Sequence, residues 1–296
     1  MSAPSAGIRR ALVALVLASC RSPATLDAGA SVASAPAPDV PGGSAEVPSA
    51  PVASVEAPPP ATSDWCVDGL SVLDADDCYV LPPPAAGEPR RLLVYLHGIV
   101  PPTPDSPQKH TVENVVLHAS VRAGVAALVP RGRRGLGPPS ARDWWGWPTT
   151  SAAIAELAPS ILRRLAESRR KLEAVTGVTF ERTYLAGSSS GAYFVAALAA
   201  HEDLFPADFP VDGFGAMSGG ASGEGGVERL SHSPPHPFYV GFGTYDEDTK
   251  ASARFLGSTL RAAHWPVRVA EHPFGHGAKE VYLDEAFAFW EESDAR

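Results

Sequence analysis

Arg182-Thr183-Tyr184-Leu185-Ala186-Gly187-Ser188-Ser189-Ser190-Gly191-Ala192-Tyr193-Phe194-Val195 is the stretch on which the fold turns. Arg182–Ala186 is a short β-forming run and predicts a strand. Ala192–Ala200 is rich in small apolar residues and predicts a helix. Between them stands Gly187-Ser188-Ser189-Ser190-Gly191, a G-x-S-x-G pattern. A strand that turns at once into a helix crowds its own backbone, and glycines on both sides of the turn relieve the crowding. The middle residue, Ser189, is then held above the sheet with its hydroxyl exposed. The helix that follows aims its free N–H groups and the positive end of its dipole at the same place. Ser189 is therefore the candidate nucleophile. The plainer alternative is a Ser/Gly-rich turn in which Ser188 or Ser190 only caps the helix.

Outward from this point, strands and helices alternate. Leu92–His97, Val125–Pro130, Gly213–Met217, Phe238–Phe242 and Val267–Glu271 read as further strands. Val112–Ala123, Pro159–Val175, Lys250–Ala263 and Val281–Glu292 read as helices, with Pro159 expected in a first turn. Such alternation predicts an α/β domain with a mostly parallel sheet covered by helices on both faces.

A serine hydroxyl needs a base, and the base needs a carboxylate to orient it. The strand Phe238–Phe242 runs into Gly243-Thr244-Tyr245-Asp246-Glu247-Asp248. The last strand is followed by Phe274-Gly275-His276-Gly277. His276, flanked by glycines in a loop, is the candidate base. His272 lies four residues earlier and should still belong to the strand. Asp246, at the strand end, is the preferred acid, with Asp248 as the alternative. The order Ser, Asp, His differs from that of the chymotrypsin and subtilisin types. Leu93-Val94-Tyr95-Leu96-His97-Gly98-Ile99 supplies an early strand ending in His-Gly. Backbone amides near its end and just after the nucleophile, those of Ile99 and Ser190, are the candidate donors to an oxyanion. His97 reads as a structural residue that shapes this loop.

With these residues in place, residues 65–296 resemble the α/β-hydrolase superfamily. They look most similar to secreted feruloyl and acetylxylan esterases and polyhydroxybutyrate depolymerases. The resemblance is carried by Tyr95-Leu96-His97-Gly98, the turn at 187–191, Gly243-Thr244-Tyr245-Asp246 and Gly275-His276-Gly277. It implies an α/β-hydrolase fold and a serine esterase acting through Ser189, His276 and Asp246. It implies no metal and no organic cofactor. Two features depart from the lipase branch. Val100-Pro101-Pro102 stands where HGGG lipases carry extra glycines, and the segment between Phe194 and Phe238 leaves room for only a small lid or none.

The loop from Arg131 to Pro148 follows a predicted strand at the edge where ligands bind in such sheets. Trp144, Trp145 and Trp147 can form a wall that stacks on a sugar or aromatic ring, and Arg131 can meet an anionic group. This predicts an ester substrate with a sugar or aromatic part. The alternative is that the indoles anchor the loop and the arginines are solvated.

The N-terminus is of a different kind. Arg9 and Arg10 precede the apolar run Ala11–Leu17, which is the form of a secretory signal. The run ends in Leu17-Ala18-Ser19-Cys20, which resembles the bacterial lipoprotein signal; there the cysteine is acylated and becomes the mature N-terminus. Residues 1–19 are thus expected to be a signal peptide and Cys20 the lipidated residue. Arg21, where many inner-membrane lipoproteins carry Asp, favours the outer membrane, with the periplasmic and surface faces both open. Residues 21–63 hold nine Pro, eleven Ala and seven Ser and no aromatic residue, so 20–63 is expected to be a disordered tether and 64–296 the folded domain.

Export also bears on Cys66 and Cys78, which should pair in an oxidising compartment. Three cysteines cannot build a Cys-rich zinc site. A formal net charge of -9 weighs against nucleic acid as a partner. Three functional readings follow. The first is a membrane-tethered, extracytoplasmic carboxylic-ester hydrolase. The second is an inactive lipoprotein of the same fold that binds a glycan or a protein partner, and the third is a serine peptidase.

Overall fold

Eight strands lie side by side in a single sheet of order β1-β2-β4-β3-β5-β6-β7-β8. They are β1 (Ser71–Val72), β2 (Asp77–Val80), β3 (Arg91–Leu96), β4 (Ala126–Pro130), β5 (Arg182–Ser188), β6 (Gly213–Met217), β7 (Phe238–Gly243) and β8 (Val267–His272). The computed structural model describes residues 63–83, 90–221 and 227–295. The signal sequence, Cys20 and all but the last residue of the Pro-rich segment lie outside them. β1 and β2 are antiparallel to their neighbours, and every pairing from β4 to β8 is parallel. The central strands β3 and β4 are buried throughout, as parallel strands covered on both faces must be.

Two apolar clusters sandwich the sheet. α2 (Ser151–Thr176), α3 (Ser190–Ala199) and α4 (Lys250–Ala262) contribute Leu162, Leu165, Phe194 and Leu256 to one cluster. α1 (Pro107–Ala123) and α5 (Glu280–Asp294) contribute Val112, Val116, Tyr282, Phe287 and Trp290 to the other. Among the described residues no helix is long and apolar enough to cross a membrane.

Most expected elements are present within a residue or two of their predicted ends. Three differences have physical causes. α1 starts at Pro107, five residues before the expected Val112, because Ser106 caps it and proline suits the first helical position. α2 starts at Ser151, capped by Thr150, so Pro159 sits in its interior and not in a first turn. β1 and β2 are too short to give a periodic signal.

Cys66 and Cys78 form a disulfide with Cα atoms 5.5 Å apart. It joins the coil before β1 to β2. It thereby fixes Trp65, whose indole N–H donates to the Val129 carbonyl at 3.0 Å and whose ring lies 4.8 Å from that of His97.

Candidate active site

The turn after β5 is as tight as its glycines imply. A Cβ on Gly191 would sit 2.0 Å from the Leu96 carbonyl oxygen, and one on Gly187 2.6 Å from the same atom. No side chain fits at either position. Ser189, between them, takes φ 51 and ψ -119, a sparsely populated conformation for a residue with a Cβ. Its amide is held by the Met217 and Ser218 carbonyls at 3.0 and 3.2 Å, and its carbonyl accepts from the Tyr193 N–H. The strain is thus fixed by hydrogen bonds on both sides, and the hydroxyl projects from the sheet edge.

His276 meets that hydroxyl. Its Nε2 lies 3.1 Å from Ser189 Oγ, and its Nδ1 lies 3.0 Å from Asp246 Oδ2. An ionised carboxylate only accepts, so Nδ1 carries the proton and Nε2 is left to accept from the serine. Asp246 is 1% exposed and the His276 side chain 40%. Burial pushes the Asp246 carboxyl up. Hydrogen bonds from the Thr249 hydroxyl (2.6 Å) and amide (3.1 Å) and from His276 outweigh it and hold the carboxyl below the usual range. Asp248 is exposed and Glu247 pairs with Lys250 at 2.5 Å, so Asp246 is the acid that reaches the imidazole. His272 ends β8, with Nε2 3.2 Å from Glu285.

The loop after β3 approaches the serine closely. A Cβ on Gly98 would stand 3.0 Å from Ser189 Cβ, which explains the glycine. Val100 and Trp145 exchange backbone hydrogen bonds at 2.9 Å and hold the far end of this loop. His97 holds the near end. It is fully buried, between Trp65 and Trp147, and burial pushes its pKa down to about 4. The ring is therefore neutral. Nε2 accepts from the Gly132 N–H at 2.8 Å, so Nδ1 bears the proton and donates to the Gly98 carbonyl. The Gly98–Ile99 peptide is planar and trans, so fixing its carbonyl also fixes the direction of the Ile99 N–H. Ser190, the first residue of α3, offers an N–H with no partner inside the helix.

Gly98, Ile99, Ser189 and His276 border a cleft of about 810 Å³, within the usual range of small-molecule sites. Ile99, Val100, Val112, Ala141 and Trp144 give it an apolar lining. Of the residues expected to touch substrate, only Trp144 lines it. Trp147 is 1% exposed and stacks on Phe194, because it roofs the core above α3 and backs His97. Trp145 is clasped between the Arg131 and Arg134 guanidinium groups, each 4.6 Å from its ring. Arg131 binds Asp64 at 2.8 Å and also Asp76, and so ties β4 to the N-terminal segment instead of facing the cleft. Arg131, Trp145 and Trp147 thus anchor the loop.

Three supporting residues are absent from the sequence reading. Thr249 clamps Asp246 from three residues downstream. Ser218, at φ 45, donates from its hydroxyl to the Gly277 carbonyl at 2.9 Å and so pins the loop that bears His276. Trp65 covers His97. Only Thr249 was within reach of local reading, since an Asp followed by Thr before a helix favours such a turn.

The strand order, the strained turn after β5 and helices on both faces make this an α/β-hydrolase fold. Arabidopsis thaliana SOBER1 shares it, with 16% identity over 69% of this chain and 98% of that one and a TM-score of 0.51. The chain also aligns with the crystal structure of esterase PE8, at 20% identity over 72% of this chain and 96% of that chain, with a TM-score of 0.48. With an uncharacterized protein from Bacillus cereus ATCC 10987 it shares 17% identity at a TM-score of 0.49 over 69% of this chain, and it covers 61% of that protein. No family model and no curated protein sequence matches the chain.

Proposed function

We propose that the chain is a serine hydrolase of carboxylic esters, tethered to the cell envelope through a lipid on Cys20. The observation that carries the first half is the continuous hydrogen-bonded path from Ser189 Oγ through His276 to buried Asp246, opening on an apolar cleft. Ser189 attacks the ester carbonyl carbon as His276 Nε2 takes its proton. The Ile99 and Ser190 amides stabilise the oxyanion. Collapse of the tetrahedral intermediate expels the alcohol, which takes the proton back from His276. Water, deprotonated by the same imidazole, then attacks the acyl-enzyme and releases the acid and free Ser189. Asp246 keeps Nδ1 protonated throughout and steadies the imidazolium as it forms.

An ester is favoured over a peptide because the walls of the cleft come from the domain's own loops and the start of α1. Nothing among the described residues forms the large cap or extra domain that would select a peptide chain. The test is turnover of a series of 4-nitrophenyl and methyl esters by the purified chain beside Ser189→Ala. Hydrolysis that disappears with Ser189 supports the reading. Cleavage of peptides in preference to esters would replace it with a peptidase, and a folded chain inert toward both would point to binding of a glycan or partner.

A further inference from the structure

On a chain with 33 acidic and 24 basic residues, the cleft beside Ser189 has the opposite charge. Among the described residues that line it there is no carboxylate, and the ionisable groups are His276 and Lys279. His276 is occupied by Ser189 and Asp246. The Lys279 ammonium has no carboxylate partner among the described residues, and it lies 5.9 Å from the Phe274 ring. Its neighbour Glu280 is already engaged, by Arg122 at 2.6 Å and His118 at 3.0 Å.

Lys279 is also well placed. It follows His276 by three residues, a span of about 10 Å at most. The intervening loop is pinned by Ser218 on the Gly277 carbonyl and by the burial of Ala278, and the Lys279 carbonyl accepts from the Tyr282 N–H at 3.1 Å. Lys279 and Ser189 line the same cleft, so a substrate with its carbonyl at Ser189 and its body in that cleft comes within reach of the lysine side chain. We propose that Lys279 selects esters that carry one carboxylate on the part filling the cleft, such as monoesters of dicarboxylic acids or esters of hydroxybenzoic acids. A single ammonium balances a single negative charge, so a doubly charged phosphate would leave one charge uncompensated. The partly desolvated setting strengthens the pairing beyond that of an exposed ion pair.

This inference rests on the hydrolase reading, and the test separates the two. Two matched pairs are compared by kcat/KM. They are 4-nitrophenyl hydrogen succinate against its methyl ester, with charge on the acyl side, and 4-acetoxybenzoate against methyl 4-acetoxybenzoate, with charge on the alcohol side. The full chain should prefer the anionic member of at least one pair by about tenfold, the scale of one hydrogen bond between charged groups. Lys279→Met should bring that ratio to about one, and Lys279→Glu should invert it. Added salt should narrow it in the parent chain. Hydrolysis of both pairs with no preference for the charged member overturns the inference and leaves the hydrolase reading intact, as does a preference that survives Lys279→Met. No hydrolysis of any of the four esters, with no reaction of Ser189 toward a neutral fluorophosphonate, overturns the hydrolase reading and the inference with it.

Discussion

His97 shapes the site from behind, through the Gly98 carbonyl, and its effect should be on rate and not on binding. In His97→Ala the Gly98–Ile99 peptide loses its anchor and the Gly132 N–H its acceptor. The expected outcome is a fall in kcat of about 10²–10³, the scale of one oxyanion donor lost, with KM changed far less. Steady-state kinetics on a variant that still unfolds cooperatively checks this, and a change confined to KM would refute it. At this scale the sequence was most informative where chemistry restricts the residue type. Ser189, Asp246 and His276 stand at strand ends in fixed order, and the structure brings them within hydrogen-bonding distance of one another. Arg131 and Trp147 were not readable in the same way. An arginine or an indole serves equally as substrate contact or as anchor, and only the distant partners Asp64, Asp76 and Phe194 decide between them.

Among the elements, the N-terminal end of the domain is the least expected. The coil from Trp65 to Val67 is bound to β2 by the disulfide and to α1 by Glu113, whose Oε2 accepts from the Val67 N–H at 3.1 Å. Glu113 Oε1 lies 3.8 Å from Cys78 Sγ, which has no proton to give in the disulfide. Burial pushes the Glu113 carboxyl up to about 8, against the pull of Lys109 and the Val67 amide. An unfolded glutamic acid titrates near 4.3. Between those two values the folded chain keeps a proton that the unfolded chain releases, so this site's contribution is complete below the lower value and is lost as pH rises toward the upper one. Each unit of separation corresponds to about 1.4 kcal/mol. Glu113→Gln keeps the shape and the acceptor without the titration. It should therefore gain on the parent in unfolding free energy as pH is raised from about 5 to 8, by a few kcal/mol at the upper end. Parallel curves for the two proteins across that range would show that Glu113 does not titrate on folding. β1 and β2 escaped the sequence reading because so few residues give no period, and the start of α2 because Pro159 suggests a boundary where Thr150 supplies the real cap. The longer strands and helices declared themselves through unbroken apolar runs and small-residue faces.

As a whole the chain holds an α/β-hydrolase domain and an N-terminal segment of quite different composition. If Cys20 bears the lipid, Cys20→Ser should abolish incorporation of labelled palmitate and move the chain from the membrane to the soluble fraction. Label retained in that variant would refute the anchor. An anionic chain gains little from attraction to anionic lipid, so under this proposal the membrane affinity would come from the acyl chains. Everything proposed for catalysis depends on one property, an activated Ser189. Its most direct measure is the intact mass of the purified chain after exposure to a fluorophosphonate, with Ser189→Ala and Asp246→Asn alongside. The account predicts one adduct on the parent, none on Ser189→Ala, and slower labelling of Asp246→Asn by about 10³–10⁴-fold, as when a triad carboxylate is neutralised. A folded parent chain that acquires no adduct, or an adduct that persists in Ser189→Ala, would contradict it.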